Sequence, residues 1–365
     1  MTRVVLAPDS FKGTATAADA AAALAAGWRS VRAADELIVR PMADGGEGTL
    51  DAFASSVPGA QRMPITVRGP VTEPVDSSWV LLPDGTGVVE LAAMSGITLL
   101  DPLEPLDAHS AGFGEAIAAA LDGGVERLLL GLGGSASTDG GTGALTVLGA
   151  WFLDASGAPV PLGNRGLAVL DRVDLSGLRP LPPGGAVILG DVTNPLLGPL
   201  GAATIFGPQK GADAATVDVL EANLARLADL MPDAVQPDAA APGAGAAGGT
   251  GFGLLAWGAR MGGGAALVAQ AVGLREAMAG ADLVVTGEGR FDGQSEAGKA
   301  PTVVAALARE AGVATALVAG AITAEPRGFA ASVALADLAG GGAVAMAEPL
   351  RWLEAAGAEL ARAQR

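Results

Sequence analysis

The chain has 365 residues, of which 50% are apolar and 17% charged, and it carries a formal net charge of −17. Such a length allows more than one hydrophobic core, and the composition is typical of a globular protein. The negative charge argues against nucleic acid or an anionic membrane as a partner, because both require a basic surface. The absence of cysteine excludes disulfides and thiolate metal sites.

The first apolar run of the chain stops at Pro8, which makes it too short for the hydrophobic region of a signal peptide. No other apolar stretch reaches the length that spans a bilayer. We therefore expect a cytoplasmic protein.

Lysine is rare in this chain, because nearly all basic residues are arginine. The lysines are Lys12, Lys210 and Lys299, and each has a glycine beside it. Lysine carries a compact, mobile charge that suits phosphate, and glycine lets backbone amides approach the same anion. The pattern therefore favours phosphate binding.

The chain opens with a pattern typical of a βαβ unit. Residues 4–7 predict a strand, residues 16–31 a helix and residues 36–40 a second strand. An acid follows each strand, at Asp9 and Asp44, and the same loops contain glycine, at Gly13 and Gly45. Ligands bind at such strand ends in open α/β sheets.

A glycine- and serine-rich loop, residues 133–141, follows the strand predicted at residues 127–132 and precedes a helix predicted at residues 143–152. Such a loop can direct several N–H groups at an anion. It also fits a dinucleotide-binding G-x-G-x-x-A pattern that begins at Gly131. A pyrophosphate turn does not require the hydroxyls and the acid that the loop adds, so this interpretation is the weaker one.

The segment that follows the predicted strand at residues 186–189 offers both a carboxylate and an ammonium group. Gly190 and Asp191 end this apolar strand, and a rigid turn at Asn194 follows. A second apolar run, residues 202–206, leads to Lys210. We expect Asp191 to be the best fixed of the candidate acids, which suits a general base, although it also suits a metal ligand.

Two later segments resemble nucleotide-binding motifs without meeting their structural requirements. The G-x-G-x-x-G at residues 243–248 has no strand before it, so it is better interpreted as a glycine loop that leads into a helix. The strand predicted at residues 282–286 is followed by Glu288 and by a G-x-x-x-x-G-K pattern that ends at Lys299. Ala300 replaces the serine or threonine of a P-loop, so we interpret Lys299 as a phosphate-binding lysine at a helix start.

Five predicted strand ends thus carry an acid and glycine. Phosphoryl transfer requires this combination: carboxylates for Mg²⁺, amides and lysine for phosphate, and an aspartate that deprotonates the acceptor hydroxyl. The only histidine, His109, is expected at a helix start or on the surface, which argues against histidine-based acid–base chemistry.

Six motifs together closely resemble those of the bacterial glycerate kinase family, of the type unrelated to P-loop and sugar-kinase folds. They cover nearly the whole chain and are APDSFKG (7–13), MADGGEGT (42–49), GLGGSASTDGG (131–141), DVTNPLLGPLGAATIFGPQKGA (191–212), PGAGAAGGTGFGLLA (242–256) and VTGEGRFDGQSEAGKAP (285–301).

The resemblance implies an α/β fold of two three-layer-like domains around a cleft, one flavodoxin-like and one restriction-endonuclease-like. We expect one domain to be discontinuous, residues 1–65 plus 285–365, and residues 66–284 to form the inserted domain. The implied activity is ATP- and Mg²⁺-dependent phosphorylation of D-glycerate to 2-phosphoglycerate by a monomer or homodimer. Alternatives are 3-phosphoglycerate as the product, a dinucleotide-dependent oxidoreductase, and a nucleotide-binding sensor without activity.

The predicted site residues fall into four groups by role. The catalytic residues are Asp191, Lys12 and Lys210; the substrate-binding residues are Asp9, Ser10, Asp44, Glu47, Ser135, Asp139 and Asn194; the nucleotide-binding residues are Gly133, Gly134, Gly245, Gly248, Gly287 and Lys299; and the metal ligands are Asp191, Glu288 and Asp292.

Overall fold

The computed structural model describes residues 1–11, 13–232, 238–292 and 299–364. The chain divides into two compact units. Unit 1 comprises Met1–Pro58 and Gly263–Arg365, and unit 2 comprises Gly59–Gly262.

The strands of the described ranges are numbered in chain order. They are β1 (Arg3–Pro8), β2 (Glu36–Val39), β3 (Gln61–Arg68), β4 (Pro74–Leu81), β5 (Thr86–Glu90), β6 (Arg127–Gly131), β7 (Trp151–Leu153), β8 (Arg172–Asp174), β9 (Ala186–Leu189), β10 (Arg260–Gly262), β11 (Leu283–Phe291), β12 (Ala314–Ile322) and β13 (Ala331–Ala334).

The helices are numbered in the same way, and 3₁₀ turns occupy Ile97–Leu99 and Pro208–Lys210. The helices are α1 (Ala17–Val31), α2 (Thr49–Ser56), α3 (Ala92–Ser95), α4 (Ala111–Asp122), α5 (Thr142–Val147), α6 (Asn164–Leu167), α7 (Ala202–Phe206), α8 (Ala214–Leu230), α9 (Thr250–Ala256), α10 (Gly264–Ala271), α11 (Leu274–Met278), α12 (Ala300–Glu310), α13 (Leu335–Ala339), α14 (Gly342–Ala347) and α15 (Pro349–Ala363).

Unit 1 is built on a parallel sheet with the strand order β13-β12-β11-β1-β2. Counted along unit 1 alone, this is the flavodoxin-like order 2-1-3-4-5, in which the winding reverses between the first and third strands. The reversal here lies between β1 and β11. Ligands of doubly wound sheets bind outside the carboxyl ends of the strands at such a point.

Helices α1 and α15 pack against each other unusually closely in unit 1. A Cβ atom on Gly27 would lie 1.8 Å from the Glu354 carbonyl oxygen, and one on Gly357 would lie 2.3 Å from the Leu24 carbonyl oxygen. Together with buried Trp28, both helices contribute to one apolar cluster with β1, β11 and β12. Glycine is therefore needed at these two positions to let the helix backbones meet.

Unit 2 contains a mixed six-stranded sheet in the order β10-β9-β6-β5-β4-β3. Strands β10, β9, β6 and β5 are parallel, and β4 and β3 add an antiparallel hairpin at one edge. Its core includes Phe113 and Ile117 of α4, Leu130 of β6, Ile188 of β9 and Phe252 of α9. The first and last strands of unit 2, β3 and β10, therefore form the two opposite edges of its sheet.

The α/β fold class is confirmed, and unit 1 has the flavodoxin-like strand order. The likeness of unit 2 to restriction endonucleases stays an expectation. The boundaries between the units differ from those of the predicted domains. The first lies after residue 58 rather than 65, because β3 pairs along its length with β4 of unit 2. The second lies after residue 262 rather than 284, because α10 and α11 pack with α12 of unit 1. That the units are independent domains stays a prediction.

The apolar run 202–206 forms helix α7. The predicted strand end at residue 286 is wrong, because β11 continues to Phe291 while it pairs with β12. Within the described ranges, no helix is both long and apolar enough to cross a membrane.

Candidate active site

A cavity of about 520 Å³ lies at the carboxyl ends of β1, β11 and β12 in unit 1. This is the position beside the winding reversal where a ligand site is expected. The charged residues that line it are Asp9, Asp44, Glu288, Arg290, Asp292 and Lys299.

Asp9 and Ser10 lie in the cavity wall directly after β1. The Asp9 N–H donates to the Gly287 carbonyl oxygen at 2.8 Å, and the Ser10 N–H donates to Asp9 Oδ1 at 2.6 Å. Ser10 is only 6% exposed, and its buried Oγ has no hydrogen-bond partner among the described residues. Because an unsatisfied buried hydroxyl is unfavourable, this group is well placed to bond a ligand.

The loop after β2 contributes one of its two predicted acids to the cavity. Asp44 lines the cavity, and its Oδ1 accepts a hydrogen bond from the Gly46 N–H at 3.0 Å. Glu47 is exposed and does not belong to the described lining. A substrate contact of Glu47 therefore stays a prediction.

Glu288 reaches the cavity from within β11 rather than from a loop, and it is 7% exposed. Gly287, predicted to bind nucleotide, precedes it in the same strand. A Cβ on Gly287 would lie 2.1 Å from the Val318 carbonyl oxygen of β12. The close approach of β11 and β12 is therefore sufficient to explain why residue 287 is a glycine.

The cavity contains two cations in addition to its four carboxylates. Lys299 lies at the start of α12, as the sequence predicts, and Arg290 comes from β11. Arg290 is not among the predicted site residues, although its alternation with Glu288 along an extended strand was a usable signal. Lys12, and residues 293–298 of the near-P-loop pattern, lie outside the described residues.

The carboxylates of the cavity are suited to a magnesium ion that is shared with a nucleotide. Among the described residues, no group of three or more acidic or histidine side chains is arranged to hold a metal ion alone. Mg²⁺ usually keeps several waters and takes one or two carboxylates together with substrate phosphates. Glu288 and Asp292, which line one cavity with two cations, fit this donor set.

In unit 2, Asp139 organises the glycine- and serine-rich loop from inside. It is fully buried, and its Oδ2 accepts hydrogen bonds from the Ser110 N–H and Oγ, both at 2.9 Å, and from the Gly143 N–H at 3.0 Å. Its Oδ1 accepts from the Gly141 N–H at 3.1 Å. These bonds tie the loop to α4 and α5, whereas the predicted substrate contact would need an accessible carboxylate.

Lys210 is buried beneath the same loop and is only 3% exposed. Its Nζ donates to Ser135 Oγ at 2.8 Å and to the Ser137 carbonyl oxygen at 2.6 Å. Burial lowers the pKa of this ammonium group to about 7, against an opposing influence of the Asp139 charge. The hydrogen bond between Lys210 and Ser135 therefore helps to hold the glycine- and serine-rich loop in place.

The glycines of segment 243–249 pack against neighbouring backbone. A Cβ on Gly248 would lie 2.1 Å from the Ser137 carbonyl oxygen, and one on Gly245 would lie 2.2 Å from the Pro195 carbonyl oxygen. This packing is sufficient to explain why residues 245 and 248 are glycines, without any contact to a nucleotide. By contrast, Gly133 and Gly134 are exposed, so their backbone is accessible.

Asp191 follows β9 by two residues and is half-buried. The turn after it is held in place, because Asn194 Nδ2 donates to the Leu200 carbonyl oxygen at 2.8 Å and the Gly245 N–H donates to the Asn194 carbonyl oxygen at 3.0 Å. The loop that carries Asp191 is therefore fixed within unit 2. Asn194 helps to hold this loop through both its side-chain amide and its backbone carbonyl.

His109 lies at the start of α4, as one of the two predicted alternatives has it, and it is buried rather than on the surface. Its Nδ1 accepts the Ala111 N–H at 3.3 Å, which leaves Nε2 to donate to the Val71 carbonyl oxygen at 2.8 Å. Both ring nitrogens are engaged at the start of α4. This engagement of both nitrogens argues against acid–base chemistry by His109.

The predicted site residues thus form two groups, one in each unit. Unit 1 brings six of them to a single cavity, and unit 2 gathers others around the loop that Lys210 supports. Those of the cavity are Asp9, Ser10, Asp44, Glu288, Asp292 and Lys299.

The chain is similar to known proteins over most of its length. The model of the glycerate kinase family matches residues 4–365. The chain is 41% identical over 327 residues to a glycerate kinase of Bacillus subtilis, covering 88% of this chain and 85% of that one. It is also 41% identical over 314 residues to a glycerate 2-kinase of Escherichia coli, covering 84% and 82%.

A solved structure has the same fold. It is a crystal structure of a candidate glycerate kinase 2 from Salmonella typhimurium LT2, with 36% sequence identity and a TM-score of 0.83 over 99% of this chain and 98% of that one. The family model, the curated relatives and this structure agree, so the chain is an enzyme that belongs to the glycerate kinase family.

Proposed function

We propose that this enzyme transfers a phosphoryl group from ATP to O2 of D-glycerate, with Mg²⁺ as the cofactor and 2-phosphoglycerate as the product. The observation that carries the proposal is the unit 1 cavity, in which four carboxylates, two cations and the buried Ser10 hydroxyl face one space. The name of the Escherichia coli relative, a glycerate 2-kinase, supports O2 as the acceptor.

In this proposal Glu288 and Asp292 hold Mg²⁺, which neutralises charge on the phosphates when it is bound. Lys299 and Arg290 attract the same phosphates. Asp9, Ser10 and Asp44 orient the hydroxyl groups of glycerate. Asp191 stays our sequence-based proposal for the general base, because it follows a buried strand on a loop that Asn194 fixes within unit 2, and phosphoryl transfer depends chiefly on such positioning.

The test is release of ADP from ATP, with and without D-glycerate and Mg²⁺, followed by proton-coupled phosphorus NMR of the product. Phosphate on O2 gives a doublet from the single C2 proton, whereas phosphate on O3 gives a triplet. We expect glycerate-dependent ADP release and the doublet. L-glycerate serves as the matched control substrate.

Other results would overturn the proposal in recognisable ways. A triplet would establish 3-phosphoglycerate as the product, and an absorbance change with a nicotinamide cofactor would establish an oxidoreductase. ATP binding without turnover would favour a nucleotide sensor. The cytoplasmic location and the monomer or homodimer stay predictions of the sequence.

A further inference from the structure

The unit 1 cavity has an apolar wall that the proposed chemistry does not use. Leu335 of α13, Ala345 and Met346 of α14, and Pro349 at the start of α15 line the same cavity as the carboxylates. Leu335 and Ala345 are buried, whereas Met346 is 66% exposed. These four side chains give the cavity an apolar wall beside its charged groups, and a methionine thioether in such a wall suits contact with an apolar ligand surface.

The size of the cavity points to a ligand larger than glycerate. Its volume of about 520 Å³ lies within the range of ~300–1,000 Å³ in which drug-sized ligands bind. A three-carbon hydroxy acid fills only a small part of such a volume. Moreover, every carbon of glycerate carries an oxygen, so it has no apolar surface that would require these four residues.

A purine ring matches the apolar wall in both shape and chemistry. It is flat and has two weakly hydrated faces, which suit contact with a methionine thioether and with aliphatic side chains. Gly342 and Ala345 leave room for a flat ring because they carry little or no side chain. Lys299 and Arg290 line the same cavity, where they can meet the phosphates of the same molecule.

We propose that the purine base of the nucleotide binds in unit 1 against Leu335, Ala345 and Met346, and not on the glycine loops of unit 2. The inference rests on the proposed function, since it assigns a place to the nucleotide of that reaction. The packing of Gly245 and Gly248 against backbone supports it, because that packing accounts for two glycines otherwise assigned to nucleotide binding.

The structure provides a matched pair of variants for the test. Met346 lines the cavity, whereas Val344, on the same helix, is not among the described residues of the lining and is 47% exposed. We compare Met346→Asp with Val344→Asp, which add the same charge at exposed positions. Met346→Leu is the conservative variant, and circular dichroism verifies that all three variants fold.

The measurements are the Kd of Mg·ADP by calorimetry, competitive inhibition by adenosine, and the KM values for ATP and glycerate. Met346→Asp is expected to raise the ADP Kd and the KM for ATP at least ~10-fold and to weaken adenosine inhibition similarly, because a carboxylate replaces the apolar contact. The KM for glycerate should change less than ~2-fold. Val344→Asp should resemble the wild type, whereas Met346→Leu should retain most of the affinity for ADP that Met346→Asp loses, because leucine restores an apolar contact.

Three results would overturn the inference. They are an unchanged ADP Kd in Met346→Asp, an equal loss in Val344→Asp, which indicates a general charge effect, and a rise confined to the KM for glycerate. ADP and adenosine binding can be measured without any turnover. A failure of glycerate phosphorylation would therefore refute the proposed function while leaving this test of the base site intact.

Discussion

Lys210 shows that a lysine next to glycine can be buried, with its ammonium group bonded inside the protein. The sequence pattern favours contact with phosphate, yet the ammonium group bonds Ser135 and Ser137 inside unit 2. Its lowered pKa follows from the loss of water around the charge, which the nearby Asp139 only partly offsets. Sequence patterns identify a lysine and its glycine neighbours, but they do not reveal which side of a loop the side chain enters.

The lowered pKa of Lys210 predicts a pH-dependent stability. The folded pKa of about 7 lies below the ordinary value of 10.5. The unfolded chain therefore binds more protons between these two values, and the stability of the wild type should rise with pH across this window. Lys210→Met removes the titration.

Urea unfolding of both proteins at pH 7 and pH ~9.5 measures the effect, and we expect the wild type to gain stability relative to Lys210→Met as the pH rises. A constant difference would mean that the buried ammonium group keeps an ordinary pKa.

Asp191 permits a test of the proposed base. Asp191→Asn preserves the shape of the side chain and removes its basicity, so kcat should fall by ~10²–10⁴ while the Kd of Mg·ADP stays near the wild-type value. Asp213→Asn is the matched control in unit 2. Asp213 caps α8 by accepting the Thr216 N–H, and asparagine caps equally well.

The opposite pattern would assign Asp191 to the metal. If turnover survives in Asp191→Asn while the affinity for Mg·ADP collapses, the carboxylate is a ligand of Mg²⁺. The base would then have to be sought at Asp44 or Glu288.

At the level of elements, apolar runs predicted strands well and their ends less well. Residues 4–7 and 186–189 were recognisable because a buried parallel strand is a short apolar run that ends at glycine, proline or an acid. The strand predicted for β11 ended too early, because Gly287 and Gly289 are typical of turns. Its continuation depends on pairing with β12, a contact that local sequence does not display.

Much of the cavity was predictable for the same reason. Acids that end parallel strands converge at one edge of the sheet, so Asp9 and Asp44 could be placed together from the sequence. The apolar wall was not predictable, because α13 and α14 are short and reach the cavity only through the fold. Asp139 has the signature of a ligand-binding acid, and only its buried hydrogen bonds reveal its structural role.

The contact between α1 and α15 predicts an unusual effect of a small substitution. Alanine normally stabilises a helix relative to glycine by up to ~1 kcal/mol. In Gly357→Ala, however, the new methyl group would meet the Leu24 carbonyl oxygen. The strain should destabilise the protein by about 1–3 kcal/mol.

Urea unfolding of Gly357→Ala measures this loss, with Glu359→Ala at an exposed position of the same helix as the control. Stabilisation by Gly357→Ala would show that the backbones of the two helices do not meet at this position.

At the level of the whole molecule, unit 2 is continuous in sequence and has its own apolar core, whereas unit 1 is assembled from both ends of the chain. We therefore expect a fragment of residues 59–262 to fold alone, with a cooperative urea transition and native-like circular dichroism. A fragment of residues 263–365 lacks β1, the strand beside β11, and should not fold. A disordered 59–262 fragment would show that unit 2 depends on unit 1.

The pairing of β1 with β11 has a consequence for the order of events during synthesis. The Thr286 hydroxyl bonds the Ala7 carbonyl oxygen across 279 residues of chain. At about 5–20 residues per second, the apolar residues of β1 wait on the order of 10–50 s for β11 to be made, whereas their other neighbour, β2, follows within the same segment of chain. All six strands of the unit 2 sheet are made in that interval. One edge of β1 therefore stays without its strand partner until after unit 2 has been synthesised.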